Sequence, residues 1–376
     1  MFFHFIKKGD SLYQIAKEYN VDLNKIIQDN SIIDPENLVI NQCLLIDDNK
    51  LPNKKTSKVI NAYCYDTSNI DTVKKSIYAL TFLSIFGYKV DENGNLNSIN
   101  DEPYIRLARE NNVKPIMVIT NSKEKGGFSP SLANAIISNK NTTQNLFNKI
   151  ENHLKNKNYY GLNIDFEYVS EDDKNSFIDF VKSANAYFKS RNYYLSISLA
   201  PKYSDQQKGT LYTAHDYEEL GKYVDHVIIM TYEWGYTYGP AMAVSPYYEV
   251  KKVLEYAKEK IPSNKILMGL PNYGYDFIIP YKKNQKAKSI RNAQAIPLAY
   301  NNHVQIQYNK TSITPFFRYL KDDIQHEVHF DDPYSIASKL SLLDDLNIGG
   351  VSIWTISTYC GYIPLLIDNY FNIIKL

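Results

Sequence analysis

The chain has 376 residues, 44% of them hydrophobic and 22% charged, with a net charge of +1. That length suits one large domain plus a small one, and the composition is that of an ordinary globular protein. A charge this close to zero supplies no field for nucleic acid or an anionic membrane, and no stretch reaches the roughly 18 apolar residues of a membrane span, so neither is expected as a partner. The cysteines Cys43, Cys64 and Cys360 are scattered without metal spacing, and their odd number argues against a disulfide framework. They read as small buried residues. The opening MFFHFIKKGD lacks the basic segment and apolar run of a secretory signal, so synthesis without classical export is expected.

Residues 2–46 read as a unit of their own. FFHFI is a short strand, and KKGDS is a turn, with Gly9 for the awkward backbone angle and Asp10 or Ser11 as helix N-cap. LYQIAKEYN places Leu12, Ile15, Ala16 and Tyr19 at helical spacing, NKIIQDN gives a second short helix, and IIDPENLVINQCLLID closes with a strand. This βααβ pattern, with Lys8-Gly9-Asp10-Ser11-Leu12, Ile15-Ala16 and Leu38 to Ile46, resembles a LysM domain, here assigned to residues 1–47. The resemblance implies binding of N-acetylglucosamine in glycans, in a shallow groove between the first loop and the loop before the last strand. Gly9, Asp10, Ser11, Asn30 and Ile32, within or beside the Asn30–Pro35 loop, are the implied contacts, though each also serves as an ordinary turn residue.

Polar, proline-broken residues 48–57 read as a linker. From 58 to 376 strand-like and helix-like segments alternate. The strand candidates are VINAYCY, IYALTFLSI, VKPIMVIT, YYGLNIDFE, YYLSISLA, VDHVIIMTY, KILMGLPNYGY and IGGVSIWTI. Eight apolar strands separated by amphipathic helices predict an α/β fold, a (β/α)8 TIM barrel. About residues 275–332 separate the last two strands, too long for one loop, and predict a small α+β insertion. The pair His326 and His329 lies at i and i+3, on opposite faces of a strand, so a strand leading to a helix near Pro333 is expected rather than a metal site.

The fourth strand candidate carries Asn163, Asp165 and Glu167 on one face, rising toward the end where barrel active sites sit. Ionised acids inside a core are costly unless paired, raised in pKa or put to use. Residues i and i+2 lie about 6.6–7 Å apart and point in parallel. Two acids stacked on one strand do not easily flank a scissile bond as in ordinary two-carboxylate glycosidases. One can still protonate a leaving oxygen, with the nucleophile supplied by an N-acetyl group of the substrate.

The barrel resembles glycoside hydrolase family 18. Asn163-Ile164-Asp165-Phe166-Glu167 matches the last two acids of that family's strand-4 motif, while Tyr160 and Asn163 replace its first two aspartates. Met230-Thr231-Tyr232-Glu233-Trp234-Gly235, Gly269-Leu270-Pro271-Asn272-Tyr273-Gly274-Tyr275-Asp276 and Gly349-Gly350-Val351-Ser352-Ile353-Trp354-Thr355 match further signatures. With Gly239 to Pro246 and the N-terminal LysM, the details resemble the SleL/YaaH-type cortical fragment-lytic enzymes of spore formers, which act as N-acetylglucosaminidases on cortex peptidoglycan during germination. Those carry two LysM repeats, and one is visible here. A spore-associated location, between coat and cortex, is what that resemblance implies.

The resemblance implies Glu167 as general acid and then base, Asp165 as the group that orients the 2-acetamido group, and Tyr232 as a donor to the acetamido oxygen. Retention of configuration follows, and no metal or organic cofactor is required. Asn163 is expected to hydrogen-bond Asp165. Asn163, Met230, Glu233, Trp234, Tyr273 and Trp354 are the implied substrate contacts, with both tryptophans facing the cleft, and Asn272 and Tyr275 could line it too. A monomer acting on peptidoglycan, or on another N-acetylglucosamine glycan, is the expectation. The competing readings are a chitinase or endo-N-acetylglucosaminidase, a lectin that lost catalysis, and a barrel enzyme of another class such as an aldolase.

Overall fold

Apolar runs alternating with amphipathic stretches become a closed parallel barrel. The computed structural model describes residues 1–48, 56–123 and 126–376. The barrel strands, first to eighth, are Thr56–Tyr65, Phe82–Lys89, Lys114–Thr120, Gly161–Asp165, Tyr194–Leu199, His226–Ile229, Ile266–Pro271 and Gly350–Trp354. Each pairs in parallel with the next, and the eighth pairs with the first, Gly350 opposite Val59. Closure leaves no strand edge unpaired. A Cβ on Gly350 would lie 1.8 Å from the Val59 carbonyl oxygen, so only glycine lets the seam close this tightly.

The strands are apolar on both faces because both are covered. Outward residues such as Ile60, Leu83, Met117, Leu162 and Val351 join the largest core cluster beneath the helices. Helix Lys174–Lys189 shows how the pattern works: Phe177, Phe180, Val181, Ala184 and Phe188 form one buried stripe at helical spacing. Inward residues Val59, Phe82, Ile116, Tyr194 and Leu267 fill the barrel floor. Toward the C-terminal ends the interior turns polar. Ser84 and Ser352 bond Asn61 at 2.7 and 2.9 Å, and above them Asn163 joins Tyr63, Ser196 and Ser198.

Between the seventh and eighth strands lies a five-stranded antiparallel sheet, in spatial order Lys288–Ile290, Gly274–Ile279, Ile324–His329, Thr314–Lys321 and Gln307–Asn309, with helix Asn292–Asn301. His326 and His329 sit on its strand, and the helix Pro333–Asp345 follows. His326 bonds Asp276 at 2.9 Å and His329 bonds Glu327 at 2.7 Å.

At the N-terminus, Phe2–Phe5 pairs antiparallel with Cys43–Ile46 around helices Leu12–Tyr19 and Leu23–Asp29. Its own core is small: Ile6, Leu12, Ile15, Ile26, Leu44 and Ile46. It gains burial by docking on the rest of the chain. Leu45 enters the main core cluster. Asn41 donates to the Ile306 carbonyl at 2.9 Å, Ile306 N–H donates to Ile40 at 3.1 Å, and Gly361 N–H donates to Ser31 Oγ at 2.7 Å. The linker expected at 48–57 falls mostly outside the described residues, and Thr56 already belongs to the first strand. All three cysteines are buried and free.

Candidate active site

A cavity of about 630 Å³ opens at the C-terminal ends of the strands, lined among others by Asp165, Glu167, Met230, Tyr232, Tyr273 and Trp354. The fourth strand ends at Asp165, so Glu167 stands two residues beyond the regular sheet. Two side chains hold it there. Asn121, fully buried at the end of the third strand, donates to the Glu167 carbonyl at 2.8 Å and accepts from the Glu167 N–H at 2.9 Å. Thr120 is the last residue paired with Asp165 in the ladder, so the Asn121 amide takes over where backbone pairing stops. His215, also buried, accepts from Ala200 N–H at 2.8 Å through Nδ1, which leaves Nε2–H to donate to the Phe166 carbonyl at 3.1 Å. Burial pushes its pKa down to about 4, so it is neutral and keeps that tautomer. Neither residue follows from the sequence.

Burial raises the pKa of both acids. Asp165 is pushed up to about 7 by desolvation, against a hydrogen bond from Ser198 that lowers it. Half-buried Glu167 is raised well above the usual carboxylate range, first by desolvation, then by the charges of Asp165 and Glu233. Both influences favour the protonated form of Glu167, the form a general acid needs. Asp165 Oδ1 is buried with no hydrogen-bond partner. A buried acceptor left bare is costly, and here it lies in the wall of a cavity.

Trp354 ends the eighth strand and is held by three rings in T-shaped contact: Phe86 at 5.0 Å, Tyr63 at 5.1 Å and Tyr65 at 5.8 Å between centroids. Tyr232 follows the sixth strand, above Gly269, where a Cβ would come 2.9 Å from its ring. Glu233 has φ +66°, a left-handed backbone uncommon for a residue with a side chain. Its carboxylate accepts from Tyr273 and, at 3.0 Å, from Tyr275.

Several expected positions differ. Trp234 does not line the cavity; it packs against the core between barrel and helices. The sixth strand ends at Ile229, and tight turns from Ile229 to Thr231 and Met230 to Tyr232 break the alternation that would have turned Trp234 inward. Asn163 is 0% exposed and does not line the cavity. Its Oδ1 accepts from Tyr63 at 3.0 Å and lies 3.2 Å from Ser198 Oγ, and its Nδ2 donates to Ser196 at 3.0 Å rather than to Asp165. Asn272 and Tyr275 line not this cavity but the adjoining one beyond Trp354, and Asn272 clamps the Thr355 and Thr358 carbonyls at 2.9 and 3.0 Å.

In the N-terminal unit Asn30 is buried, bonding Leu45 N–H at 2.6 Å and the Leu45 and Ile26 carbonyls at 2.8 and 2.9 Å. It staples the closing strand to the second helix and has no donor left for a glycan. Asp10 caps the turn through Lys7 N–H at 2.8 Å and His4 at 3.0 Å, and Ser11 is the helix N-cap. Gly9, with φ +93° and open space around it, and Ile32, half-buried on the small core, remain at the surface of the two loops. Among the described residues no group of three or more His, Cys, Asp or Glu side chains could hold a metal ion.

Comparison with known proteins agrees with this geometry. A family model described as glycosyl hydrolases family 18 matches residues 52–358, and the LysM domain model matches residues 4–47. The cortical fragment-lytic enzyme of Bacillus subtilis (strain 168) is 34% identical, over 98% of each chain. Its counterpart from Bacillus anthracis is 36% identical over 97% of each. The crystal structure of the Bacillus megaterium QM B1551 spore cortex-lytic enzyme SleL superposes with a TM-score of 0.93 at 32% identity, covering 100% of this chain and 99% of that one. With the acids stacked at one strand end, an aromatic cavity over them and a family model spanning most of the barrel, the chain is a glycoside hydrolase and belongs to the glycosyl hydrolases of family 18.

Proposed function

We propose that the chain hydrolyses the β-1,4 bond after N-acetylglucosamine in peptidoglycan, in spore cortex during germination, with retention of configuration. The observation that carries the mechanism is the bare Asp165 Oδ1 in the same cavity as Glu167, whose surroundings favour its protonated form. An acetamido N–H satisfies that oxygen and turns the acetamido oxygen toward the anomeric carbon. The Tyr232 hydroxyl, in the same cavity, steadies the acetamido oxygen.

The acetamido oxygen attacks the anomeric carbon as Glu167 gives its proton to the leaving oxygen, and an oxazolinium forms whose positive charge Asp165 balances. Glu167, now a carboxylate, takes a proton from water as that water attacks the same carbon and reopens the ring. Tethering is worth effective molarities of about 10⁵–10⁸ M. Two inversions give net retention. Trp354, fixed by its three neighbours, offers an apolar surface to the sugar ring. Cortex as the substrate, and a spore-associated location, rest on the near-full-length likeness to cortex-lytic enzymes.

The test is digestion of purified cortex peptidoglycan, read by mass spectrometry of reduced products, with Glu167→Gln as control. New reducing N-acetylglucosamine ends, at least about 10²-fold fewer with the variant, are expected. Cleavage of chitin oligosaccharides alone moves the substrate to chitin and leaves the mechanism. Cleavage of neither refutes the catalytic reading in favour of a lectin.

A further inference from the structure

The cleft continues past Trp354. A second cavity of about 370 Å³ shares Tyr65, Glu233, Tyr273 and Trp354 with the catalytic one. Its wall holds one cation, Arg291, and one carboxylate, Glu233. Glu233 is already served by Tyr273 and Tyr275. Arg291 is exposed, and among the described residues its guanidinium has no carboxylate partner.

The position of Arg291 makes no sense as a stabilising device. It is the N-cap of helix Asn292–Asn301. Ser, Thr, Asp and Asn suit that place, and a cation there opposes the helix dipole. The backbone is nonetheless pinned, Arg291 N–H donating to Gln294 Oε1 at 3.0 Å, so the guanidinium projects from a fixed base. An anion in this cavity relieves both the unpaired guanidinium and the dipole. Poly-N-acetylglucosamine is neutral and offers none. The stem peptide on a muramyl residue ends in a carboxylate, which a guanidinium grips through paired N–H donors.

We propose that Arg291 is a specificity residue that binds a carboxylate of the peptide substituent on a muramyl residue near the scissile bond. The inference rests on the glycosidase reading above. It makes the second cavity a site for the acidic decoration of the glycan, while the first holds the sugar that is cut.

The test compares cortex glycan fragments bearing peptide carboxylates with the same fragments after conversion of those carboxylates to amides. Native protein is expected to favour the acidic fragments about tenfold in kcat/KM, the worth of one charge-assisted hydrogen bond. Added salt should shrink that preference, since the site is exposed. Arg291→Met is expected to lose the preference while cleaving the amidated fragments as native protein does, and Arg291→Lys to keep part of it. Equal rates for both substrates with native protein overturn the inference, as does an Arg291→Met loss that is the same on both. Native protein that cleaves neither refutes the glycosidase reading itself, a failure distinct from the others.

Discussion

Replacing Asn121 with alanine should disable Glu167, the proposed general acid, without touching it. The substitution removes the two bonds that hold the Glu167 peptide, at 2.8 and 2.9 Å, from a side chain with no solvent exposure. Each backbone group left unpaired costs about 1–3 kcal/mol, and the chain relieves that cost by moving the peptide toward water. A misplacement near 1 Å costs about 10²-fold in rate, so kcat/KM on glycan should fall by roughly 30- to 300-fold. The assay pairs two substrates, a natural glycan and an N-acetylglucosaminide with an activated aryl leaving group. The aryl group departs without a proton, and kcat/KM reports steps only up to its departure. A displaced acid therefore hurts the glycan far more than the aryl substrate, whereas a partly unfolded enzyme loses both alike. Equal losses on the two substrates, or none on the glycan, would refute the idea that Asn121 positions Glu167.

Two further outcomes follow from burial and packing. Asp165 has a folded-state pKa of about 7 against an ordinary 3.8, so its folded form binds more protons, and the stability this confers is full below 3.8 and lost as pH rises through about 7. Asp165→Asn should therefore be inactive yet melt higher than native protein at pH 8. That advantage should shrink as pH falls and vanish below the ordinary carboxylate range; an advantage independent of pH refutes the burial argument. Gly361→Val should uncouple the N-terminal unit, because a Cβ there meets the Gln28 and Asp29 carbonyl oxygens at 2.4 and 2.7 Å. Calorimetry is expected to show a separate low-temperature transition, with hydrolysis of short soluble glycans retained; a single unchanged transition counts against a docked unit.

Much of the fold is legible in the sequence because its signals are local. Apolar runs bounded by turn residues mark all eight strands, since a barrel strand buried on both faces must be apolar throughout. The 3.6-residue stripe of Phe177, Phe180, Val181, Ala184 and Phe188 marks a helix for the same reason. Strand ends are harder to read. The sixth strand has apolar residues through Met230 and Tyr232 but stops at Ile229, because the chain turns there through bonds two residues apart and then through a left-handed Glu233. Nothing in the letters Thr-Tyr-Glu-Trp reports that turn, so Trp234 is placed on the wrong face by alternation alone.

The candidate site divides along the same line. Asp165 and Glu167 stand out because carboxylates are foreign to an apolar strand, and Trp354 because it closes one. The residues that set their behaviour come from far away in the chain: Asn121 lies 46 residues before Glu167, and His215 lies 49 after Phe166. Each looks like an ordinary loop polar residue until the fold brings it to an open peptide group. Asn163 shows the converse. It sits on the right face and in the right motif, but it is fully buried and its amide is engaged by Tyr63, Ser196 and Ser198, so it supports the layer beneath the cavity. A neutral amide there has a definite electrostatic effect. No carboxylate from this position repels the Asp165 charge, so the rise in the Asp165 pKa comes from desolvation, and its Oδ1 stays free to meet a donor from the substrate. The sequence motif points to the strand end; the hydrogen bonds at each member decide which of them is left free to meet a ligand.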